Sequence, residues 1–236
     1  MHKESVVVDC NTCKARCNSV FSGLFENEID MLRDNKGCTT FKKGQVIFNQ
    51  GGMPHGIFVV YSGKVKLFQL AENGREQIVR MAKPGDIIGY RSLLSSENYA
   101  STAVPIEESN ICYIPKKLFW SLMNSNQDLS LQIMKLLSSD LKRAEHSITN
   151  IAQKPVKERL AEALLFLKET YGLEQDEMTI GVVMTREDMA NFVGTATETA
   201  IRLLADLRHD NIIDFVGKKI KIINYRKLID LANLDD

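Results

Sequence analysis

Short apolar runs separated by glycines dominate the chain between residues 41 and 115. Runs such as Val46–Phe48, Ile57–Tyr61 and Val65–Phe68 have the length of single strands. The turns between them carry glycine at Gly44, Gly51, Gly63, Gly74, Gly85 and Gly89. Short strands with frequent turn residues are typical of a compact all-β barrel or sandwich. No strand followed by a glycine-rich turn and a helix occurs here, so the pattern does not predict a dinucleotide-binding fold.

A second pattern, with helical periodicity, runs from about Leu129 to Ile151 without Gly or Pro. Its apolar positions alternate steps of three and four, at Met134, Leu137, Leu141, Ala144, Ile148 and Ile151. This spacing is the a/d seam along which two helices supercoil. A helix packed only on its own domain is the alternative. Because charged residues flank the seam, the pattern favours a dimerisation helix and a homodimer.

Pro155 ends this helix, and a third region follows it. The pattern predicts an amphipathic helix over Val156–Tyr171, a loop over Gly172–Met178 and a strand over Thr179–Met184. Two short helices and a hairpin then complete the chain. We therefore predict three parts: a sensor domain over residues 1–127, a dimerisation helix over 128–153 and a third domain over 154–236.

The two short helices have the signals of a helix-turn-helix. Thr185, followed three residues later by Asp188, resembles a capping box and predicts a helix through Val193. Gly194 fits the stop between the helices. We expect Thr195 and Thr197 to cap the second helix. Beyond it, the apolar runs 212–215 and 220–223 flank Val216-Gly-Lys-Lys, which predicts a hairpin and so a winged DNA-binding domain.

Glu198 and Arg202 lie one turn apart on the second helix. In a major groove, Glu can accept a hydrogen bond from cytosine while Arg donates two to guanine, so the pair can read one G·C step. A surface salt bridge at i,i+4 is the alternative interpretation. The helix-turn-helix context favours base reading. Side chains suited to contacts with the DNA backbone are Thr185, Arg186, Thr195, Thr197, Thr199, Lys218 and Lys219.

Composition limits these interpretations only weakly. The 236 residues carry no formal net charge, with 44% hydrophobic and 25% charged residues, as in ordinary globular proteins. Neutrality argues against a chain dominated by nonspecific attraction to nucleic acid, but it allows a local basic face. Met1–Asp9 is too short and too charged for a signal peptide, and no apolar run is long enough for a membrane span. We expect a cytoplasmic protein.

The segment from Thr185 to Leu204 resembles the helix-turn-helix signature of the catabolite activator/FNR (Crp/Fnr) superfamily. The segments Lys43–Gly51, Ile57–Val65 and Pro84–Gly89 resemble its sensor barrel, and the likeness extends from Phe21 onward. The resemblance implies an α+β chain with an N-terminal cyclic-nucleotide-binding-like β-barrel (a jelly roll), a long dimerisation helix and a C-terminal winged helix-turn-helix. It implies a homodimer on palindromic double-stranded DNA, controlled by an effector in the barrel, and contact with RNA polymerase.

By the same resemblance, Glu198 and Arg202 take the base-reading roles, in a TGA-like core. The branch of the family that responds to cyclic AMP has an Arg immediately before the Glu. Thr197 stands there in this chain, so the DNA target should differ from that branch's half-site.

The predicted effector pocket departs from the family's cyclic-nucleotide pattern. That pattern has a Glu after the glycine for the ribose and an Arg-Ser pair for the phosphate. Here Tyr90 follows Gly89, and Ala100 precedes Ser101. A cyclic phosphate would lose its charge-assisted partner, and we do not expect cyclic AMP to bind. The candidate pocket residues are Gly89, Tyr90, Arg91, Ser101 and Thr102.

The cysteines suggest a different sensor. Cys10, Cys13 and Cys17 resemble the N-terminal trio of FNR-type oxygen sensors, and Cys112 falls where their fourth cluster ligand lies. The resemblance implies a [4Fe–4S] cluster on four thiolates. The gap before Cys17 is shorter than the family's, however, and zinc or free thiols without a metal are the alternatives. Cys38 has no assigned role.

Two other classes of function make different demands on the sequence. A barrel that regulates an enzyme or channel through protein contacts would need no winged helix-turn-helix, and a DNA-retention assay separates the two. An enzyme is not expected, because the four histidines are scattered and no nucleophile lies at a useful spacing from a base.

Overall fold

The computed structural model describes residues 8–233, and the chain divides between Lys142 and Arg143 into two compact units. The stretch Met1–Asp9, from which we predicted that a signal peptide is absent, lies mostly outside the described residues. None of the helices within residues 8–233 is long and apolar enough to cross a membrane.

The first unit is built on two antiparallel sheets. One has the strand order β1-β7-β2-β5 and the other β4-β3-β6. The strands are β1 (Gly37–Phe41), β2 (Gly56–Ser62), β3 (Val65–Leu70), β4 (Glu76–Ala82), β5 (Ile87–Ile88), β6 (Thr102–Pro105) and β7 (Ser109–Pro115). The predicted β-rich region is confirmed. The run Val46–Phe48 forms no strand, because only Phe48 bridges to the sheet, at Ala103.

Alternation along β2 divides the core of this unit into two clusters. Ile57 and Val59 face one cluster with the helices, whereas Val60 faces the other, inside the barrel. This is the period of two expected of a strand that is buried on both faces. The helices of the unit are α1 (Lys14–Cys17), α2 (Glu26–Asn35), α3 (Tyr90–Ser95) and α4 (Lys116–Ser125).

The long helix is confirmed as α5 (Gln127–Gln153). Asn126 precedes it, and its side-chain oxygen accepts from the Leu129 amide at 2.9 Å, which satisfies one of the free donors of the first turn. Leu129 and Ile133 are buried in the core of the first unit. The large apolar side chains that α5 leaves exposed are Leu131, Met134, Leu141, Ile148 and Ile151, and Ala144 of the predicted seam is exposed too.

The second unit contains the predicted helix α6 (Val156–Tyr171) and the winged helix-turn-helix. Its elements are α7 (Arg186–Val193), α8 (Thr197–His209), β8 (Ile213–Val216), β9 (Lys219–Ile222) and α9 (Tyr225–Ala232). The predicted strand over Thr179–Met184 is wrong. Backbone groups there bond to two different neighbours, Ile180 to Ile220 and Gly181 to Gly172, so only isolated bridges form.

A carboxylate joins α6 to the last turns of α5. Glu162 accepts hydrogen bonds from Asn150 at 2.8 Å and Lys154 at 3.0 Å, and the His146 ring nitrogen lies 2.6 Å from it. These residues are spaced by four: His146 and Asn150 lie on one face of α5, and Lys154 is the first residue after the helix. Burial raises the pKa of Glu162, but these hydrogen bonds outweigh it and hold the pKa below the ordinary value of 4.5.

This shift predicts a pH dependence of stability. Because the folded-state pKa is depressed, Glu162 contributes stability above its unfolded pKa and loses that contribution as pH falls through the folded value. Glu162→Gln should therefore lower the free energy of unfolding at neutral pH, and the difference from wild type should shrink below about pH 5. Urea titrations across this range measure it. Glu169→Gln, on an exposed residue of the same helix, is the control; an equal and constant effect of both variants would contradict the account.

Candidate functional site

The helix-turn-helix forms as the sequence predicts at α7. Thr185 is the N-cap, and its hydroxyl accepts from the Asp188 amide at 2.9 Å. Gly194 ends the helix in the left-handed region, at φ 76°, where a residue with a Cβ would be strained. The amides of Gly194 and Thr195 both donate to the Ala190 carbonyl, which fixes the turn.

The start of α8 differs from the prediction. Ala196 is its N-cap, without a side-chain hydrogen bond, so neither Thr195 nor Thr197 caps the helix. The reason is register: the two hydrogen bonds to Ala190 hold Thr195 in the turn, and Thr197 is already the first helical residue. This leaves the hydroxyl of Thr197 outside the capping role.

Helix α8 has one buried and one exposed face. Ala200, Leu204 and Leu207 are buried on the inner face. Glu198 and Arg202 are exposed, and within residues 8–233 no ion pair joins them. The salt-bridge alternative therefore has no contact to support it, and both side chains are available to a ligand.

The wing brings basic side chains close to acidic ones. The Lys219 ammonium donates a hydrogen bond to the Glu174 carboxylate. Lys221 forms a salt bridge with Asp176, with Nζ 3.2 Å from Oδ2. Lys218, at the turn between β8 and β9, is exposed. The two lysines of the wing that are predicted to contact the DNA backbone therefore differ. Lys219 would have to exchange its carboxylate partner for a phosphate, whereas Lys218 is exposed and can bind a phosphate without such an exchange.

Arg186, at the start of α7, packs on the wing. Its guanidinium lies over the Phe215 ring at 4.3 Å from the centroid, and burial lowers its pKa from the usual value. Arg208, near the end of α8, lies over the same ring and forms a salt bridge with Asp214, with Nε 2.8 Å from Oδ1. These contacts tie the ends of α7 and α8 to β8 and so fix the helix pair on the wing.

The predicted effector segment is tightly packed. Gly89 has φ 79°, and a Cβ there would meet the Tyr99 ring at 3.1 Å, so this position requires glycine. Tyr99 stacks on Phe48, with ring centroids 4.0 Å apart. Thr102 is buried and its hydroxyl accepts from the Gln50 amide at 3.0 Å. Two more of the predicted pocket residues differ in burial: Ser101 is buried and Arg91 is exposed.

Tyr90, in the position where the family's pattern has a Glu, faces the long helix. Its hydroxyl donates to Asp140 of α5 at 2.5 Å, and Arg80 lies 3.4 Å from the same carboxylate. Burial, together with this hydrogen bond, raises the pKa of Tyr90, so the hydroxyl keeps its proton and remains a donor. Asp140 is one of the charged residues that flank the predicted seam and are expected to be solvated, but it is buried. Its partners lie far away in the sequence, so no local signal identifies them.

We expect Tyr90→Phe to lower the free energy of unfolding by about 1–3 kcal/mol, because it leaves a buried carboxylate short of one donor. Tyr99→Phe is a matched control: its ring is buried too, but its hydroxyl lies 3.5 Å from the Gly56 carbonyl and loses little. Chemical denaturation of both variants measures the difference. Equal losses would show that the hydroxyl of Tyr90 contributes nothing beyond packing.

The cysteines require a correction. Cys112 is disulfide-bonded to Cys38, so it is not the free thiolate that a cluster ligand must be. The two residues are directly opposite each other in the β1–β7 pair, a register that the sequence does not reveal. Cys10 and Cys13 are free and buried, and Cys17 is free and exposed.

One small cavity brings part of the predicted set together. Cys10, Cys13 and Cys112 line it, with Arg16 and Lys36, but Cys17 does not. Its volume of about 30 Å³ is enough for a water molecule but small for a metal cluster. Among residues 8–233, no group of three or more His, Cys, Asp or Glu side chains could hold a metal ion. The disulfide-bonded form described here does not fit a four-thiolate cluster.

Comparison with known proteins agrees with this architecture. Residues 38–126 match the cyclic nucleotide-binding domain family, and residues 158–231 match the Crp-like helix-turn-helix domain family. The fumarate and nitrate reduction regulatory protein of Yersinia pestis is 31% identical over 230 residues, 95% of this chain and 90% of that protein. The anaerobic regulatory protein of Pasteurella multocida is 30% identical over 230 residues, 95% of this chain and 83% of that protein.

The fold has solved relatives as well. The structure of FixK2 from Bradyrhizobium japonicum superimposes with a TM-score of 0.77 at 22% identity, covering 85% of this chain and 99% of that one. A barrel of the cyclic-nucleotide-binding type, a long helix and a winged helix-turn-helix define a DNA-binding transcription regulator. The chain belongs to the Crp/Fnr family. The predicted α+β fold is thereby confirmed, and the family is one of regulators, not enzymes.

Proposed function

We propose that the protein is a homodimer that binds an inverted-repeat DNA site through α8 and responds to an effector sensed in its barrel. Glu198 and Arg202, which are exposed on one face of α8 and form no ion pair with another residue of the described range 8–233, carry this proposal. In a major groove these two side chains can read a G·C pair. Thr185, Thr199 and Lys218 are the proposed contacts to the DNA backbone.

The rest of the predicted set has supporting roles in this proposal. Arg186 packs on Phe215 of the wing and contacts the DNA backbone from that position. Lys219 contacts the DNA backbone as well, after its salt bridge with Glu174 breaks. Thr195 and Thr197 stand beside the base-reading pair. The division at residues 127 and 153 into sensor, dimerisation helix and DNA-binding domain remains our prediction, as does contact with RNA polymerase. A DNA target implies the compartment that holds the DNA, so we propose a cytoplasmic location.

The dimer proposal is supported by the exposed side of α5. Met134, Leu141, Ile148 and Ile151 are each more than half exposed, although they are large and apolar. They recur at the a and d spacing along α5. Such a stripe in water is costly unless a second apolar surface covers it. A second copy of α5 offers the same stripe and satisfies the twofold symmetry that an inverted repeat requires.

The distance between half-sites tests the proposed function. Two reading helices in a twofold dimer should prefer inverted half-sites one helical turn apart, about 10–10.5 base pairs centre to centre. We expect tight binding at that spacing, and a steep loss when half a turn is inserted. Binding that is indifferent to the spacing, or to the inversion of one half-site, would contradict a symmetric dimer on DNA.

The proposed effector is not cyclic AMP. Ala100 provides no charge for a cyclic phosphate, and the Tyr90 hydroxyl is already bonded to Asp140. We predict that calorimetric titration with cyclic AMP gives no binding at micromolar concentration and that cyclic AMP leaves DNA affinity unchanged. Micromolar binding would overturn this part of the proposal. The candidate pocket residues stay Gly89, Tyr90, Arg91, Ser101 and Thr102.

An iron–sulfur redox sensor is the second candidate for the input. The names of the relatives, which include an anaerobic regulatory protein, and the cavity shared by Cys10, Cys13 and Cys112 favour it. It requires the Cys38–Cys112 bond to be reduced and Cys17 to move to the other thiols, since the form described here does not fit the cluster. When bound, such a cluster supplies a one-electron, oxygen-sensitive centre.

A single anaerobic preparation distinguishes an iron–sulfur cluster from zinc and from metal-free thiols. Anaerobic purification under reductant should give a brown protein with broad visible absorption and bound iron if the redox candidate is correct, and Cys10→Ser should remove both. A zinc-loaded chain would be colourless but would contain metal. A colourless, metal-free chain with five titratable thiols after reduction would exclude both metals and leave the cysteines as structural residues.

A further inference from the structure

Arg159, in the first turn of α6, bonds to two other elements of the second unit at once. Its Nη1 donates to the Ile151 carbonyl in the last turn of α5 at 3.0 Å. Its Nη2 donates to the Gly194 carbonyl, between α7 and α8, at 3.4 Å. The Nε atom of the same guanidinium is buried. Arg159 is therefore an ordered link between separate elements, not a freely solvated surface residue.

The Ile151 carbonyl is open to this bond because the chain removes its helical partner. In an α-helix, the carbonyl of residue 151 would accept from the amide of residue 155. Position 155 is a proline, which has no backbone N–H. The arginine supplies the missing donor at the end of α5, the helix proposed to form the dimer.

Gly194, at the other end of the link, lies in the turn of the helix-turn-helix. Its φ of 76° ends α7, and α8 begins three residues later, at Thr197. A guanidinium is planar and delocalised, so the donors on its two terminal nitrogens point in fixed directions. Bonding of both nitrogens therefore fixes the turn before the reading helix relative to the end of α5.

Helix α6 has further contacts with each of these neighbours separately. Glu162, three residues after Arg159, accepts from Asn150 of α5 at 2.8 Å. Phe166, one turn later, contacts Phe192 of α7, with ring centroids 5.6 Å apart. Each of these contacts joins α6 to one neighbour, whereas Arg159 connects both neighbours through one rigid group.

We propose that Arg159 is a positioning residue that sets the spacing between the two half-sites that the dimer reads. The inference rests on the proposed function, since it requires a dimer through α5 with α8 in the major groove. In a twofold dimer, a rotation of the helix-turn-helix against α5 occurs in both subunits, so its effect on the separation of the reading helices is doubled. One extra base pair moves a half-site by about 3.4 Å and about 35° around the duplex. A fixed link resists that displacement.

Arg159→Lys tests the link, because lysine keeps the positive charge but lacks the planar fork that bonds to both carbonyls. The affinity of the full-length protein is measured by fluorescence anisotropy on inverted repeats with the preferred spacing and with one base pair more or fewer. We expect the ratio of affinities for preferred and altered spacing to fall about tenfold, the effect of losing both carbonyl contacts. Arg159→Gln, which is shorter and uncharged, should give the same result.

Two comparisons separate positioning from a purely structural role. DNA with a single half-site engages one reading helix, so its affinity does not depend on spacing, and we expect Arg159→Lys to leave it unchanged. Lys168→Ala is the matched control. It also removes a long cationic side chain from α6, but this one lies over the Tyr225 ring of α9, 3.9 Å from the centroid. The control should retain the wild-type spacing preference.

The outcomes are distinct from those of the proposed function. If wild type selects one spacing and both Arg159 variants keep the same ratio of affinities, the inference is wrong and the proposed function stands. If Arg159→Lys weakens the single half-site and every repeat by one common factor, Arg159 supports only the fold and the inference is again wrong. If wild type is indifferent to spacing, the proposed function fails and this inference fails with it.

Discussion

Aspartates at Leu141 and Ile148 should convert the protein from a dimer to a monomer. Both side chains are more than half exposed and lie on the stripe of α5 that the core does not cover. In the proposed dimer they meet their counterparts, so each substitution would place a charge without a partner in an apolar interface. Breaking such an interface costs about 3–5 kcal/mol, which raises the dissociation constant of the dimer by at least a hundredfold. Sedimentation equilibrium measures it.

The choice of residues makes the test one of association rather than of folding. Leu137, although on the same seam, packs against the core of the first unit, so a charge there would also unfold the barrel. Ser139→Asp with Lys142→Asp is the matched control, since both residues are exposed on α5 but off the seam. The control should remain a dimer. A Leu141→Asp, Ile148→Asp chain that is still dimeric at micromolar concentration would show that the seam is not the interface.

Arg202→Ala should remove the preference for guanine at one position of each half-site. The guanidinium can donate two hydrogen bonds to that base, and their loss should cost about 1–3 kcal/mol on the preferred sequence but little on the others. Competition with DNA carrying each of the four base pairs at that position measures the change. Lys218→Ala should instead weaken all sequences alike and lower the salt dependence by about one counterion.

Arg208→Ala is a matched control for Arg202→Ala. It removes another arginine from α8, but this one forms a salt bridge with Asp214 and lies over the Phe215 ring. We expect it to affect stability and overall affinity without relaxing the preference at the G·C position. If Arg202→Ala retains the wild-type preference, or Arg208→Ala loses it, the assignment of base reading to Arg202 is wrong.

Local signals in the sequence were sufficient for much of the fold. The heptad spacing predicted α5, Pro155 and Tyr171 bounded α6 correctly, and Thr185 with Gly194 delimited α7. Each of these signals acts within one or two helical turns: a capping side chain, the backbone N–H that proline lacks, or the spacing of the apolar residues on one face. Such features need no knowledge of the tertiary structure.

The errors came from contacts between distant segments. The disulfide joins Cys38 to Cys112 because two strands pair in one particular register. The Tyr90 hydroxyl reaches Asp140 because the first turn of α3 meets a helix residue fifty positions later. The segment after Met178 does not form the predicted strand, because its backbone hydrogen bonds go to two different segments, at Ile220 and at Gly172. None of these pairings leaves a periodic signal in a single sequence.

Selection of binding sites from random double-stranded DNA by the full-length protein tests the central claim most directly. The account predicts an inverted repeat whose halves lie about one helical turn apart, each with a G·C pair that depends on Arg202. Recovery of an asymmetric site, of a site without that pair, or of unenriched DNA would contradict it.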